Sequence, residues 1–357
     1  MEIMKSFKIV LIVCAVLVLV VGGFVFKTLR DAGEFKEIKP HFGGECRAIT
    51  GVLSSEDITV HKKTGVAFIS SDDRRPLFQG RQGQQGAIYA FDLTVKNPQL
   101  VDLTEGFPQE FHPHGIGLFI GQDGNSYLFV VNHRQDGHFI EIFDYRKKQL
   151  IHQDSIQGEL MHSPNDVVPV GPRSFYVTND HGNSSELGRT LEEYLQLARS
   201  YVLYYNGRDF RVVAEGLAYA NGINISRDGK TIYVAATVGK KIYVYDRDLE
   251  SGDLNLRHTI DVETGIDNIE VDDMGRLWVG AHPKLLTYVA YSKDPKKLSP
   301  SQVLRISIQE AGRYTIDEIY LDRGEALSGS SVAAVFRDRL LIGSVLDDRF
   351  LLCTLAE

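Results

Sequence analysis

Side chains scattered between positions 56 and 268, namely Glu56, Asn165, Asn221, Asp267 and Asn268, offer a ligand nothing but oxygen and carry two formal negative charges. That donor set suits a hard cation in a flexible site, and calcium is favoured over zinc or magnesium. Asp57 and Asp166 adjoin two of these residues. Successive strand residues alternate in direction, so these two would face away from the first ion and could hold a second, deeper calcium. His114 lies at a comparable place in the pattern. Taken singly, Asn221-Gly222 reads as a turn; the recurrence of such residues argues for a site.

A repeated element must bring them together. A turn with Gly, Asp or Lys followed by an alternating apolar strand occurs six times: KKTGVAFISS from Lys62, QDGNSYLFVVN from Gln122, GPRSFYVTN from Gly171, DGKTIYVAA from Asp228, DMGRLWVGA from Asp273 and FRDRLLIGSV from Phe336. Related strands follow most copies: GAIYAFDL, FIEIFDY, SYVLYYNG, KIYVYDRD and LTYVAYSK. Four-stranded units of roughly 40 to 50 residues arranged radially make a propeller, and the chain length accommodates six. The reading is all-β: a six-bladed β-propeller over residues 44–357, with a β-sandwich as the alternative. Most of the polar residues precede their repeat strands by a similar distance, so radial symmetry would turn them toward one axis.

The rest of the chain adds a tether. Residues 1–8 form a short tail, and Ile9 to Phe26 is an uncharged apolar run flanked by Lys5, Lys8, Lys27 and Arg30. This is a membrane-anchor helix or an uncleaved signal, since Gly22-Gly23 leads into Phe24, Val25 and Phe26 rather than into a small-residue cleavage site. A cleaved signal stays open as the alternative, and the similar charge on both flanks leaves orientation undetermined. Residues 27–43 read as a linker. Cys14 sits in the apolar run, which leaves Cys46 and Cys353 able to pair in an extracellular or lumenal oxidising compartment and so close the ring. The net charge of -8 is spread along the 357 residues, with no basic stripe interleaved with aromatics, so nucleic acid is a poor partner. Oligomeric state is not legible.

SSEDITV from Ser54, FHPHGIG from Phe111, VVNH ending at His133, PNDVV from Pro164, TNDH from Thr178, ANGINIS from Ala220, DNIEVD from Asp267 and LWVGAHP from Leu277 together resemble the paraoxonase/arylesterase family. The resemblance spans nearly the whole chain after the apolar run. It implies a six-bladed propeller, two calcium ions, a retained N-terminal segment and a disulfide joining the chain ends. Carried over residue by residue, it implies a catalytic calcium on Glu56, Asn165, Asn221, Asp267 and Asn268. A structural calcium would sit on Asp57, Asp166 and the backbone carbonyl of Ile116. It also implies His114 and His133 as a catalytic pair, with Asp180 nearby.

Ester or lactone hydrolysis then needs no Ser or Cys nucleophile. Calcium would polarise the carbonyl while His114 activates water and His133 relays the proton. The small-molecule substrate would be a lactone or aryl ester, with phosphotriesters as a side substrate class. A membrane-tethered propeller acting as an assembly factor or chaperone for membrane proteins, with structural calcium only, is the alternative function. His181 and His282 read as structural, and His112, His138 and His162 as surface or turn residues. Ala281 stands where the family often has a cysteine. SSDDRRPLFQGRQGQQG from Ser70 occupies the place of an active-site lid and is too polar to favour lipoprotein docking. Asn183 fits an accessible glycosylation acceptor, whereas Asn224 lies in an expected strand.

Overall fold

In a computed structural model, which describes residues 2–78, 81, 83–309 and 312–356, the described residues form six antiparallel sheets. Their innermost strands are Ser55–His61, Pro113–Ile120, Pro164–Pro169, Ala220–Ile225, Gly265–Val271 and Ser330–Phe336, defining blades 1 to 6. Each packs against the innermost strands of both neighbours, and the sixth returns to the first, closing a propeller. Every repeat copy supplies the second strand of its blade, from Val66–Ser71 to Arg339–Ser344.

Strand alternation explains the core. Val332 and Ala334 face blade 1, where they meet Ile58, Ala67 and Phe91, while Ala333 and Val335 face blade 5 beside Trp278 and Val303. A blade is thus apolar on both faces, and the core is a set of layers between blades. Phe91 meets Phe350 edge to face at 5.3 Å across the blade 1–6 boundary, a geometry worth about 0.5–1.5 kcal/mol beyond area burial.

The first-to-last seam is also held covalently. Glu45–Thr50 forms the outermost strand of blade 6, Cys46 stands opposite Cys353, and the two are disulfide-bonded across 307 positions.

Helix α1 (Glu2–Asp31) contains the apolar run, whose side chains, such as Ile9, Leu19 and Phe26, are largely exposed. It is long and apolar enough to cross a membrane. Residues 27–43 are ordered in part: α1 continues to Asp31, and His41–Phe42 pairs with the outer strand of blade 5. Three further helices lie among the described residues, α2 (Arg75–Phe78), α3 (Glu186–Leu195) and α4 (Leu285–Lys293).

Helix α4 corrects one expectation. The LTYVAYSK segment is helical rather than a strand, and blade 5 takes its third strand from Ser301–Ile308. Lys284, at the N-cap of α4, makes no side-chain cap. Glu34, just beyond α1, instead accepts from the backbone of Leu286 (2.9 Å) and Thr287 (3.0 Å). The free N–H groups of this helix start are thus satisfied from 252 positions away along the chain, which no local sequence pattern records.

Candidate active site

Each innermost strand carries one extra residue relative to its partner, always near its start. The irregularities fall between Ser55 and Asp57, Pro113 and Ile116, Pro164 and Val167, Ala220 and Ile223, Ile266 and Ile269, and Ser330 and Ala333. Glu56, His114, Asn165, Asp166, Asn221, Asp267 and Asn268 all lie inside them. A bulge bends the strand and re-aims its side chains, so these residues reach the axis through broken register. Blade 6 places Ser331 there, whose hydroxyl donates to the Glu56 carbonyl at 2.6 Å.

Close blade contact depends on glycine. A Cβ on Gly115 would meet Asp166 Cα at 2.4 Å, and one on Gly222 would meet Asn268 Cα at 2.6 Å.

The amides are oriented from behind. Asn165 Nδ2 donates to Asp180 (3.3 Å), Asn221 Nδ2 to Thr237 (3.0 Å), and Asn268 Nδ2 to the Glu56 carbonyl (3.1 Å) and Oε1 (3.0 Å). With their nitrogens tied back, Asn165 Oδ1, Asn221 Oδ1, Asn268 Oδ1 and Glu56 Oε2 are buried without a hydrogen-bond partner. Leaving such atoms bare costs about 1–3 kcal/mol each, so the group fits an oxygen-seeking cation. Burial pushes Glu56 upward, but His114, Arg74 and the Asn268 amide outweigh it and hold the carboxyl at about 2. Asp267 is raised by burial and accepts from His282 Nε2 at 2.9 Å.

Asp57 and Asp166 form a second buried group. Asp57 accepts from the backbone of Ile58 (2.8 Å) and Ile116 (2.7 Å), and Asp166 from Val167 (2.7 Å) and Ile223 (2.7 Å). The two carboxylates therefore tie blade 1 to blade 2 and blade 3 to blade 4. Burial drives both well above the usual carboxylate range, and the neighbouring acids add to it. A second cation fits there on charge grounds.

His114 Nδ1 lies 2.9 Å from His133 Nε2, and His114 Nε2 lies 3.6 Å from Glu56 Oε1. His133 Nδ1 is in turn 2.9 Å from His138 Nδ1. Burial, with His114 and His138 adding to it, holds His133 well below the ordinary histidine range. Asp180 is engaged by His181, Ser163 and Asn165. His181 is lowered by burial yet raised further by Asp180 and Glu193, ending at about 9.

Two histidines differ from expectation. His112 is buried against Asp72 at 3.0 Å, and His138 belongs to the histidine chain. The two-residue Gln135-Asp136 turn followed by Gly137 is the available signal, because this hairpin sets His133 and His138 directly opposite each other. Asn183 donates its amide nitrogen to Glu192, while Asn224 donates to the Ile269 carbonyl at 2.7 Å. The expected lid falls partly outside the described residues, at positions 79, 80 and 82.

The channel also has a cavity of about 400 Å³, lined by Lys62, Ile116, Ile223, Arg227 and Glu270 among others. Asp57 and Asp166 line it, whereas neither His114 nor Glu56 does. The histidine chain, with the bare oxygens beside it, is the place where chemistry could occur.

The arylesterase family profile matches residues 35–355. The chain belongs to the arylesterase family. It is 37% identical over 319 residues to human serum paraoxonase/arylesterase 1, covering 87% of this chain and 89% of that one. It is 39% identical to chicken serum paraoxonase/arylesterase 2 (90% and 91% covered) and 36% identical to human serum paraoxonase/lactonase 3 (90% and 93%). Among solved structures, a luciferin-regenerating enzyme aligns with a TM-score of 0.57 at 13% identity, covering 87% of this chain and 95% of that one. The calcium-binding protein regucalcin from Agrobacterium tumefaciens aligns with 0.52 at 16% (88% and 93%). These two likenesses speak for the fold of this arylesterase-family chain and for nothing finer.

Proposed function

We propose that the protein is a calcium-dependent hydrolase of lactones and aryl esters, with phosphotriesters as a side substrate class. The observation that carries this reading is the set of buried, unpartnered oxygens on Glu56, Asn165, Asn221 and Asn268, beside the His114–His133 pair. The names of the relatives, arylesterase and lactonase, supply the substrate classes.

Glu56, Asn165, Asn221, Asp267 and Asn268 would hold one calcium, and Asp57, Asp166 and the Ile116 carbonyl a second. Calcium at the first site supplies a Lewis acid for a substrate carbonyl. His114 takes a proton from water at Nε2, the nitrogen nearest Glu56. His133 accepts the hydrogen bond from His114 Nδ1 and relays the proton. His282 orients Asp267, and Asp180 orients Asn165.

Helix α1 serves as the membrane anchor, with the disulfide-bonded propeller in an oxidising compartment. Use of Asn183 as a glycan site would displace its amide nitrogen from Glu192.

The test is a panel of lactones, aryl acetates and a phosphotriester, offered to wild type and His114→Gln with and without chelator. Turnover of a lactone or aryl ester that needs both calcium and His114 supports the proposal. No turnover, together with a stably co-purifying membrane protein, would favour an assembly role.

A further inference from the structure

We propose that Glu34, just past the anchor helix, is a positioning residue for the candidate calcium centre, acting through Tyr288 and His282 on Asp267. The calcium-affinity part of this rests on the reading above; the placement of the His282 ring does not.

The line begins at α4. The backbone N–H groups of Leu286 and Thr287 and the Thr287 hydroxyl all donate to the Glu34 carboxylate, at 2.9, 3.0 and 2.7 Å. The Leu285 N–H donates to the Ala32 carbonyl at 2.9 Å. Residues 32–34 therefore satisfy the first turn of α4, which Lys284 leaves without a side-chain cap. Gly33 lets the segment come this close: its φ is +77°, and a Cβ there would meet the Pro283 carbonyl oxygen at 2.2 Å.

The same turn reaches the candidate site at two points. Leu285 packs on Gly265, where a Cβ would meet Leu285 Cδ2 at 2.5 Å, on the strand that carries Asp267 and Asn268. Tyr288 stacks on the His282 ring, with centroids 4.1 Å apart and planes 27° from parallel. His282 is 3% exposed, and its Nε2 donates to Asp267 at 2.9 Å. Its Nδ1 is buried without a hydrogen-bond partner among the described residues. The ring is thus held by one hydrogen bond and by the face of Tyr288. A carboxylate that ligates a metal is only as well placed as the group that hydrogen-bonds it from behind. Glu34 does not touch the site; it fixes the turn from which Tyr288 holds that ring.

The experiment uses the full chain in detergent, stripped with chelator and titrated with calcium in a calorimeter. The proteins are wild type, Asn221→Ala, Glu34→Ala, Glu34→Gln, Tyr288→Ala and the Glu34→Ala/Tyr288→Ala double variant. Gln keeps an acceptor for the α4 amides, whereas Ala does not. Glu34→Ala and Tyr288→Ala should each weaken calcium by roughly three- to tenfold at the site that Asn221→Ala also weakens. Glu34→Gln should stay within about twofold of wild type, and the double variant within about twofold of Tyr288→Ala alone. With nitrogen-15 at histidine, the calcium-free chain should show the His282 signals displaced in Glu34→Ala and unmoved in Glu34→Gln. A contact that serves stability alone would lower the urea midpoint of Glu34→Ala and leave calcium affinity and the His282 signals as in wild type. That result would overturn the proposal, as would fully additive losses in the double variant. Should Glu34→Ala not fold, Thr287→Val, which removes one of the three bonds, carries the same comparison with a smaller shift. Absence of calcium binding in wild type would sink the calcium reading while leaving the His282 signals to decide the placement of the ring.

Discussion

The amide nitrogen of Asn268 donates to both the backbone carbonyl and the side-chain Oε1 of Glu56, across 212 positions of sequence and from blade 5 to blade 1. The contact turns Asn268 Oδ1 away from Glu56 and leaves it bare. Asn268→Asp would replace that donor with a second carboxylate facing Glu56. The expected outcome is weaker calcium binding by roughly tenfold or more, read by calorimetric titration of the full chain.

His114→Gln would remove the proposed general base, and kcat should fall by about 10²–10⁴ with little change in KM. Steady-state kinetics on the best substrate from the panel checks it.

Glu270 gives a pH signature. Burial raises its carboxyl to about 7, against the opposing pull of Lys62 and its hydrogen bonds to Thr59 and Asn224. The folded chain therefore holds this proton more tightly than the unfolded chain. Its stabilising contribution is complete below the unfolded value, about 4.3, and is lost as pH rises through about 7. Glu270→Gln should gain on wild type between pH 5 and pH 8, by on the order of 2–3 kcal/mol. Urea unfolding of both proteins at the two pH values measures it.

Cys46→Ser opens the ring covalently while leaving the Glu45–Thr50 strand to zip against Arg349–Thr354. The chain-entropy model assigns a loop this long about 6 kcal/mol. The variant should unfold at distinctly lower denaturant than the oxidised wild type, and wild type in reductant should match it.

Much of this is legible in sequence, and the reasons are local. A turn followed by alternating apolar residues marks Val66–Ser71 or Thr231–Ala236 without any tertiary knowledge. Asn221 and Asp267-Asn268 stand out because polar residues recur at a similar offset from those strands. The bulges that aim them leave no such mark, because one extra residue shows only against a paired strand. Helix α4 reads as a strand in sequence because Glu34 caps it from a distance. His138 reads as a turn residue because its partner lies across a hairpin rather than beside it in a motif.

Calcium add-back to the chelated full chain, followed by hydrolysis rate in wild type and Asn221→Ala, tests the central claim most directly. Wild type should regain activity along a saturable calcium curve, and Asn221→Ala should need roughly tenfold or more calcium for half-recovery. Full activity in chelator, or superimposable curves for the two proteins, would contradict a calcium centre built on these oxygens.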